Sequence, residues 1–133
     1  MIVTSTLGDR AVPYVLILED LDAIANLLRG ELSALGYRCF SLRSKASAER
    51  FLKRVRPDLV IVDYGLLGGT GITAAQMAAQ SDVPVIVMSG YLDVRDEIEL
   101  LGFYYVQKPF GLSEMLDLVS RLVALDPPVS DPT

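Results

Sequence analysis

The sequence predicts an α/β fold: a doubly wound (βα)5 domain whose five parallel strands are covered by helices on both faces. Three observations predict it. Five short apolar runs alternate with five segments of helical hydrophobic spacing. The central run, Leu59-Val60-Ile61-Val62, is rich in β-branched residues and lacks polar alternation, as a strand buried on both faces would. Length and composition fit one packed domain, since 133 residues at 51% hydrophobic and 22% charged leave room for a single substantial core.

In chain order, residues 1–10 lack the basic-then-apolar order of a secretion signal, and 1–13 are expected to form a flexible leader ending at Pro13. Tyr14–Leu18 is the first strand and ends on Glu19-Asp20. Leu21, Ile24, Leu27, Leu28, Leu32 and Leu35, spaced mostly three and four apart, mark the first helix, which Gly36 stops. Tyr37–Ser41 is a weaker strand suited to a sheet edge. Ser44 or Ser47 can cap a second helix that carries Phe51, Leu52 and Val55 inward and ends at Pro57. The central strand follows, stops on Asp63 and passes into a glycine-rich loop. The alanine-rich stretch Ile72–Gln80 is a third helix with Thr70 as its expected cap. Val83–Met88 is the fourth strand, ending on Ser89-Gly90, and Asp93–Leu101 is a short fourth helix. Phe103–Val106 is the fifth strand, followed by Gln107-Lys108-Pro109-Phe110. Leu112, Met115, Leu116, Val119, Leu122 and Val123 mark the fifth helix. The domain is therefore expected over 14–125, with 126–133 a Pro-rich tail or linker.

Charge and composition narrow the function. A net charge of −5 argues against a nucleic-acid surface, and the basic run Arg50, Lys53, Arg54 and Arg56 reads as a solvated helix face. No segment reaches the ~18 to 20 consecutive apolar residues of a membrane span. The single cysteine, Cys39, excludes an internal disulfide and fits a reducing cytoplasm. The absence of histidine removes imidazole from every mechanism, whether as metal ligand, base or phosphodonor.

Four of the five apolar runs end on residues able to do chemistry: Glu19-Asp20, Asp63, Ser89 and Lys108. A parallel sheet brings all these ends to one edge, where open α/β sheets carry their ligand chemistry. Three carboxylates gathered there would repel unless a cation neutralised them, and an all-oxygen set favours a hard cation, Mg²⁺ best of all. A lysine and a hydroxyl beside them suit phosphoryl oxygens. Taken singly, each residue has a plainer reading. Asp63 could be a strand-end aspartate, Glu19-Asp20 could favour the first helix through its dipole, and Ser89 could be a cap. Tyr104 and Tyr105 could be ordinary strand aromatics.

The order Leu-Glu-Asp, Asp-x-x-Leu-x-Gly-x-x-Gly, Ser-Gly and Lys-Pro-Phe, each after its expected strand, resembles the receiver (CheY-like) domain of two-component response regulators. The resemblance implies a flavodoxin-like strand order, 2-1-3-4-5. It implies that Asp63 accepts a phosphoryl group from the phosphohistidine of a sensor histidine kinase or a histidine phosphotransfer protein. It further implies that Asp20, Asp63 and the carbonyl of Gly65 ligate Mg²⁺, with Glu19 reaching it through water. Ser89 and Lys108 would hold phosphoryl oxygens, and Tyr105 would be the switch aromatic read by a downstream protein effector. Lys108-Pro109 is expected to be cis so that the lysine swings back over the carboxylates. Tyr91, two residues past Ser89, is expected at the pocket mouth.

The pattern departs from the family in Leu67, which stands where most members have proline. The spacings of 26 residues from Asp63 to Ser89 and 19 from Ser89 to Lys108 are also shorter than usual. The shortening falls in the third and fourth helices, so a reshaped signalling face is expected, as in stand-alone or hybrid-kinase receivers. The chain is expected to act without an output domain of its own, in the cytoplasm, as a monomer or weak dimer, and not as an enzyme beyond its self-phosphorylation. A rival reading is a degenerate receiver working as a phosphorylation-independent interaction module. A flavin or nucleotide binder would want a Ser/Thr/Gly-rich loop after the first strand, where Glu19-Asp20 stands. A phosphoaspartate hydrolase would want a second aspartate where Gly65 stands.

Overall fold

A computed structural model describes residues 12–125 of the chain. Strands β1 (Tyr14–Leu18), β2 (Arg38–Leu42), β3 (Leu59–Asp63), β4 (Val85–Ser89) and β5 (Tyr104–Gln107) form one sheet. They pair in parallel in the order β2-β1-β3-β4-β5, as expected. Helices α1 (Asp22–Ala34), α2 (Lys45–Leu52), α3 (Ile72–Gln80), α4 (Arg95–Leu100) and α5 (Leu112–Leu122) complete the alternation.

The uninterrupted apolar strands are explained by two cores, one on each face of the sheet. Leu16, Leu18, Val60, Val62, Val85 and Val87 pack with Ala48 of α2, Ala74, Ala75 and Ala78 of α3, and Ile98 of α4. Their strand neighbours Val15, Ile17, Leu59, Ile61, Ile86 and Met88 pack with Leu28 and Leu32 of α1 and Met115 and Val119 of α5. Successive side chains point to opposite faces, so a strand between two helical layers needs an apolar residue at every position. The alanines of α2 and α3 let those helices lie close on the sheet.

Several expectations are corrected. Helix α2 ends at Leu52 and not at Pro57, because the amides of Arg54 and Val55 both curl back to the Phe51 carbonyl (3.0 and 2.9 Å). Val55 thus lies beyond the helix. Arg50 alone of the basic run lies on α2; all four members are exposed. Ser44 is the cap of α2, accepting from the Ser47 amide at 3.1 Å. Thr70 does not cap α3; that place belongs to Gly71, and Thr70 lies in an unforeseen antiparallel hairpin of Gly65–Leu66 with Gly69–Thr70. Its turn rests on the positive φ of Gly68 (94°) and Gly69 (151°), which side chains rarely adopt. Strand β4 starts at Val85, after Pro84, which has no amide to donate. The fourth helical segment begins as a 3-10 turn, Leu92–Val94, and continues as the six residues of α4. Of the expected leader, 1–11 lie outside the described residues, as does the whole of the expected tail, 126–133. The Pro13 carbonyl accepts the Arg38 amide at 3.0 Å.

Gly71 is needed for space, not for its dihedral angles. A Cβ there would fall 2.5 Å from the Asp63 carbonyl oxygen and against Val62 Cγ2, whereas one on Gly65 would meet nothing within 4 Å. Overpacking of this kind costs roughly 1–3 kcal/mol. Gly71→Ala should therefore lower the denaturant midpoint clearly, and Gly65→Ala should leave it within about 0.5 kcal/mol of wild type. Equal midpoints for the two variants would refute the close approach.

Candidate functional site

The sheet's hydrogen bonding runs past the strand ends and sets the site's groups side by side. The Glu19 amide donates to Leu42 O (3.0 Å), that of Tyr64 to Met88 O (2.7 Å), and that of Lys108 to Ser89 O (2.8 Å). Glu19, Asp20, Asp63, Ser89 and Lys108 thereby share the carboxyl edge. The Lys108–Pro109 peptide is cis, as expected.

Lys108 Nζ donates to Glu19 Oε1 at 2.7 Å and pairs with Asp63 Oδ1 at 3.1 Å. Glu19 is fully buried, and its other oxygen accepts the Leu21 amide at 3.2 Å. The Lys108 and Asp63 side chains are 17% and 14% exposed. Carboxylate oxygens of Glu19, Asp20 and Asp63 all lie within 4.8 Å of one another. Burial pushes the Glu19 and Asp63 carboxyls above the ordinary carboxylate range, and the hydrogen bonds from Lys108 offset this only in part. Burial also works against the Lys108 ammonium, but the hydrogen bonds and charges of Glu19 and Asp63 outweigh it and raise its pKa. One lysine thus faces three carboxylates, leaving an excess of negative charge on an all-oxygen donor set. That chemistry fits a hard divalent cation. Gly65 lies two residues past Asp63, exposed, at the foot of the hairpin.

Ser89 is buried, and its Oγ accepts the Tyr91 amide at 2.9 Å. Tyr105 is turned inward, packed against the core, with its hydroxyl donating to Tyr91 O at 2.9 Å and lying 3.3 Å from Ser89 O. Its neighbour Tyr104 points outward and is exposed. The Tyr91 side chain is itself 67% exposed. Two features escaped the sequence reading. The Arg95 guanidinium stands 5.6 Å over the Tyr105 ring while pairing with Glu99 at 3.3 Å. The hairpin docks on the start of α2, where the Lys45 amide donates to Leu67 O at 2.9 Å and Ser44 bridges Leu67. Only the adjacent positive-φ glycines hinted at the hairpin, and no local pattern foretells a contact across 23 residues.

Residues 15–120 match the family model described as the response regulator receiver domain. The chain belongs to this family. Among curated relatives, this receiver is 38% identical over 105 residues to the KDP operon transcriptional regulatory protein KdpE of Escherichia coli, covering 76% of this chain and 47% of the relative. It is 35% identical over 119 residues to the transcriptional regulatory protein PrrA of Mycobacterium leprae, covering 85% and 49%. The chain spans about half the length of the curated relatives it matches. Among solved structures, the non-phosphorylated HemR receiver domain of Leptospira biflexa superposes with a TM-score of 0.76 at 27% identity, covering 89% of this chain and 99% of that one. The response regulator TrrA of Thermotoga maritima, in complex with Mg(2+)-BeF, gives 0.76 at 25% identity, covering 84% and 100%.

The receiver's buried charges make a stability test. Lys108→Met would leave Glu19 buried without its cation, a loss of about 3–5 kcal/mol for a broken buried pair. Glu19, already raised by burial, would rise further and hold a proton in the folded state that the unfolded chain releases. Folded-state proton uptake stabilises below the unfolded carboxylate pKa and fades as pH rises through the folded one. In metal-free buffer the deficit against wild type should thus be largest near neutral pH and shrink in acid. A deficit independent of pH, measured by denaturant titration, would refute this account.

Proposed function

We propose that this receiver is a Mg²⁺-dependent phosphoacceptor, in which Asp63 takes a phosphoryl group from the phosphohistidine of a sensor histidine kinase or histidine phosphotransfer protein. The observation that carries the reading is the charge arrangement at the carboxyl edge: Lys108 bound to Glu19 and Asp63, with Asp20 adding a third carboxylate. Glu19, Asp20 and Asp63, with the carbonyl of Gly65, would hold Mg²⁺, which when bound supplies the positive charge that lets a phosphoryl group approach carboxylates. Asp63 Oδ1 is held by Lys108, so its other oxygen is the one presented for attack. As the new O–P bond forms, the P–N bond to the donor's imidazole breaks, and the electron pair leaves with the ring.

Ser89 would donate to a phosphoryl oxygen, its hydroxyl turning from the long contact it now makes with Tyr91 O (3.5 Å) while its oxygen still accepts the Tyr91 amide. A phosphoryl group adds about −1.5 to −2 charge. New charge-assisted bonds to Ser89 and Lys108 would contribute roughly 1.5–3 kcal/mol each, a good part of the ~5.5 kcal/mol that reverses a two-state population from 1:99 to 99:1. Tyr105, bonded to the carbonyl of Tyr91, would report that change to a protein effector. The chain's net charge of −5 favours protein partners for this surface, within a family whose curated relatives are transcriptional regulators. No described helix is long and apolar enough to cross a membrane, and we place the domain in the cytoplasm beside its phosphodonors.

Incubation with Mg²⁺ and acetyl phosphate should add one phosphoryl group, detected by intact-mass measurement, and Asp63→Asn or chelation should abolish it. Labelling that persists in Asp63→Asn would refute the assignment, and a wild type that takes no label would favour the degenerate receiver.

The exposed ring of Tyr91 would lean across the line of an attacking water, while Gly65, two residues past Asp63, has no side chain to hold one. Tyr91→Ala should therefore hasten loss of the phosphoryl group while leaving its uptake little changed. Equal decay rates for variant and wild type would remove the shielding role.

A further inference from the structure

Leu100, the last residue of α4, is at 87% the most exposed large apolar side chain among the described residues, and Leu101 beside it is 42% exposed. Asp96, three positions before Glu99 and four before Leu100 on the helix, lines a depression with both. Between Asp93 and Leu100 the sequence has four acidic residues against Arg95 alone, and Arg95 is engaged by Glu99 and Tyr105. Asp96 has no ion pair among the described residues.

The opposite edge of the molecule carries the reverse pattern. A shallow cleft of about 520 Å³ is lined by Phe40, Leu42, Ser47, Arg50, Phe51 and Arg54. Its floor is aromatic: Phe40, on edge strand β2 and 43% exposed, stacks on Phe51 with ring centroids 5.4 Å apart. Arg50, Lys53, Arg54 and Arg56 fall within seven residues that contain no acid. Arg56 is tied to the carbonyls of Ser81 and Asp82, while Arg50 and Arg54 make no ion pair among the described residues.

We propose that the chain associates head-to-tail with a second copy of itself, Leu100 of one molecule entering the Phe40–Phe51 cleft of the next, with Asp96 and Glu99 facing Arg50 and Arg54. An apolar centre with charges at its rim is the usual anatomy of a protein interface. The two patches point away from each other, because α2 and α4 share one helical layer while β2 and β5 are opposite edges of the sheet. They cannot meet within one molecule, and the contact is heterologous, able to extend into chains or close into a ring. A single side chain in a small cleft makes it weak, and its exposed charges make it sensitive to salt. Both halves of the complementary pair lie on this chain, which is why the partner is another copy.

Sedimentation velocity of the full chain tests this. At about 50 mM salt, where charges are screened least, the weight-average mass should climb past that of a dimer as concentration rises, and about 500 mM salt should reverse the climb. Leu100→Ser should remain monomeric, as should the double variant Arg50→Ser/Arg54→Ser. Mixed together, the double variant still offers its Leu100 and the Leu100→Ser variant its cleft, so a 1:1 complex should form and grow no further. That complementation also shows both variants to be folded. A wild type that stays monomeric at low salt, growth that stops at a dimer, or a mixture that does not complement would each overturn the proposal.

Discussion

The ammonium of Lys108 is the group on which the carboxyl edge depends. It lets a fully buried glutamate and a nearly buried aspartate lie within hydrogen-bonding reach of one cation while a third carboxylate stands beside them. A lysine at the end of the fifth strand can do this only if the first, third and fifth strands finish at the same height. The sheet enforces that condition through backbone bonds that continue past each strand, from Glu19 to Leu42, Tyr64 to Met88 and Lys108 to Ser89. Packing on both faces then holds the sheet. The two cores are thus the means by which residues 89 positions apart in the chain meet at 2.7 Å.

Much of this was legible before any coordinates. Buried parallel strands are written as apolar runs without alternation, and their chemistry-bearing ends are written as the polar residues that stop them. The bounds of α3 and the start of α5 could be read from composition and spacing alone, because glycine and alanine there agree with the packing. What was not legible has physical causes. The end of α2 was misplaced because the chain leaves the helix through a turn closed on the Phe51 carbonyl, and basic residues fit a helix and a turn equally well. The hairpin after Asp63 has strands of two residues, too short for any period to show. Which of Glu19 and Asp20 would be buried depends on the pleat at the end of β1, and adjacent acids look alike in sequence.

The link between Arg95 and Tyr105 could not be read from spacing either, and it joins the site to α4. Tyr105 closes on the carbonyl of Tyr91, Arg95 lies over its ring, and Glu99 holds Arg95 from one turn further along the helix. A rotation of Tyr105 would remove the platform under Arg95 and free it from one of its two partners. Helix α4 is only six residues long and sends one fully buried side chain, Ile98, into the core, so the Arg95 contact is its second anchor. The short fourth helix is therefore coupled to the aromatic position more closely than a longer, better-anchored helix would be.

The loop after Asp63 is anchored by the buried side chain of Leu66 and otherwise held through its main chain. Gly71 abuts the Asp63 carbonyl and donates to Tyr64 O at 2.7 Å, and the carbonyl of Leu67 is held by the Lys45 amide. The side chains of Leu67 and Thr70 meanwhile face solvent. Backbone bonds are indifferent to most substitutions, so the outward surface of this loop is open to genetic drift while the chemistry beside it is not. After a gene duplication, two daughter receivers could diverge in what they recognise here through single-base changes, each retaining a working aspartate throughout.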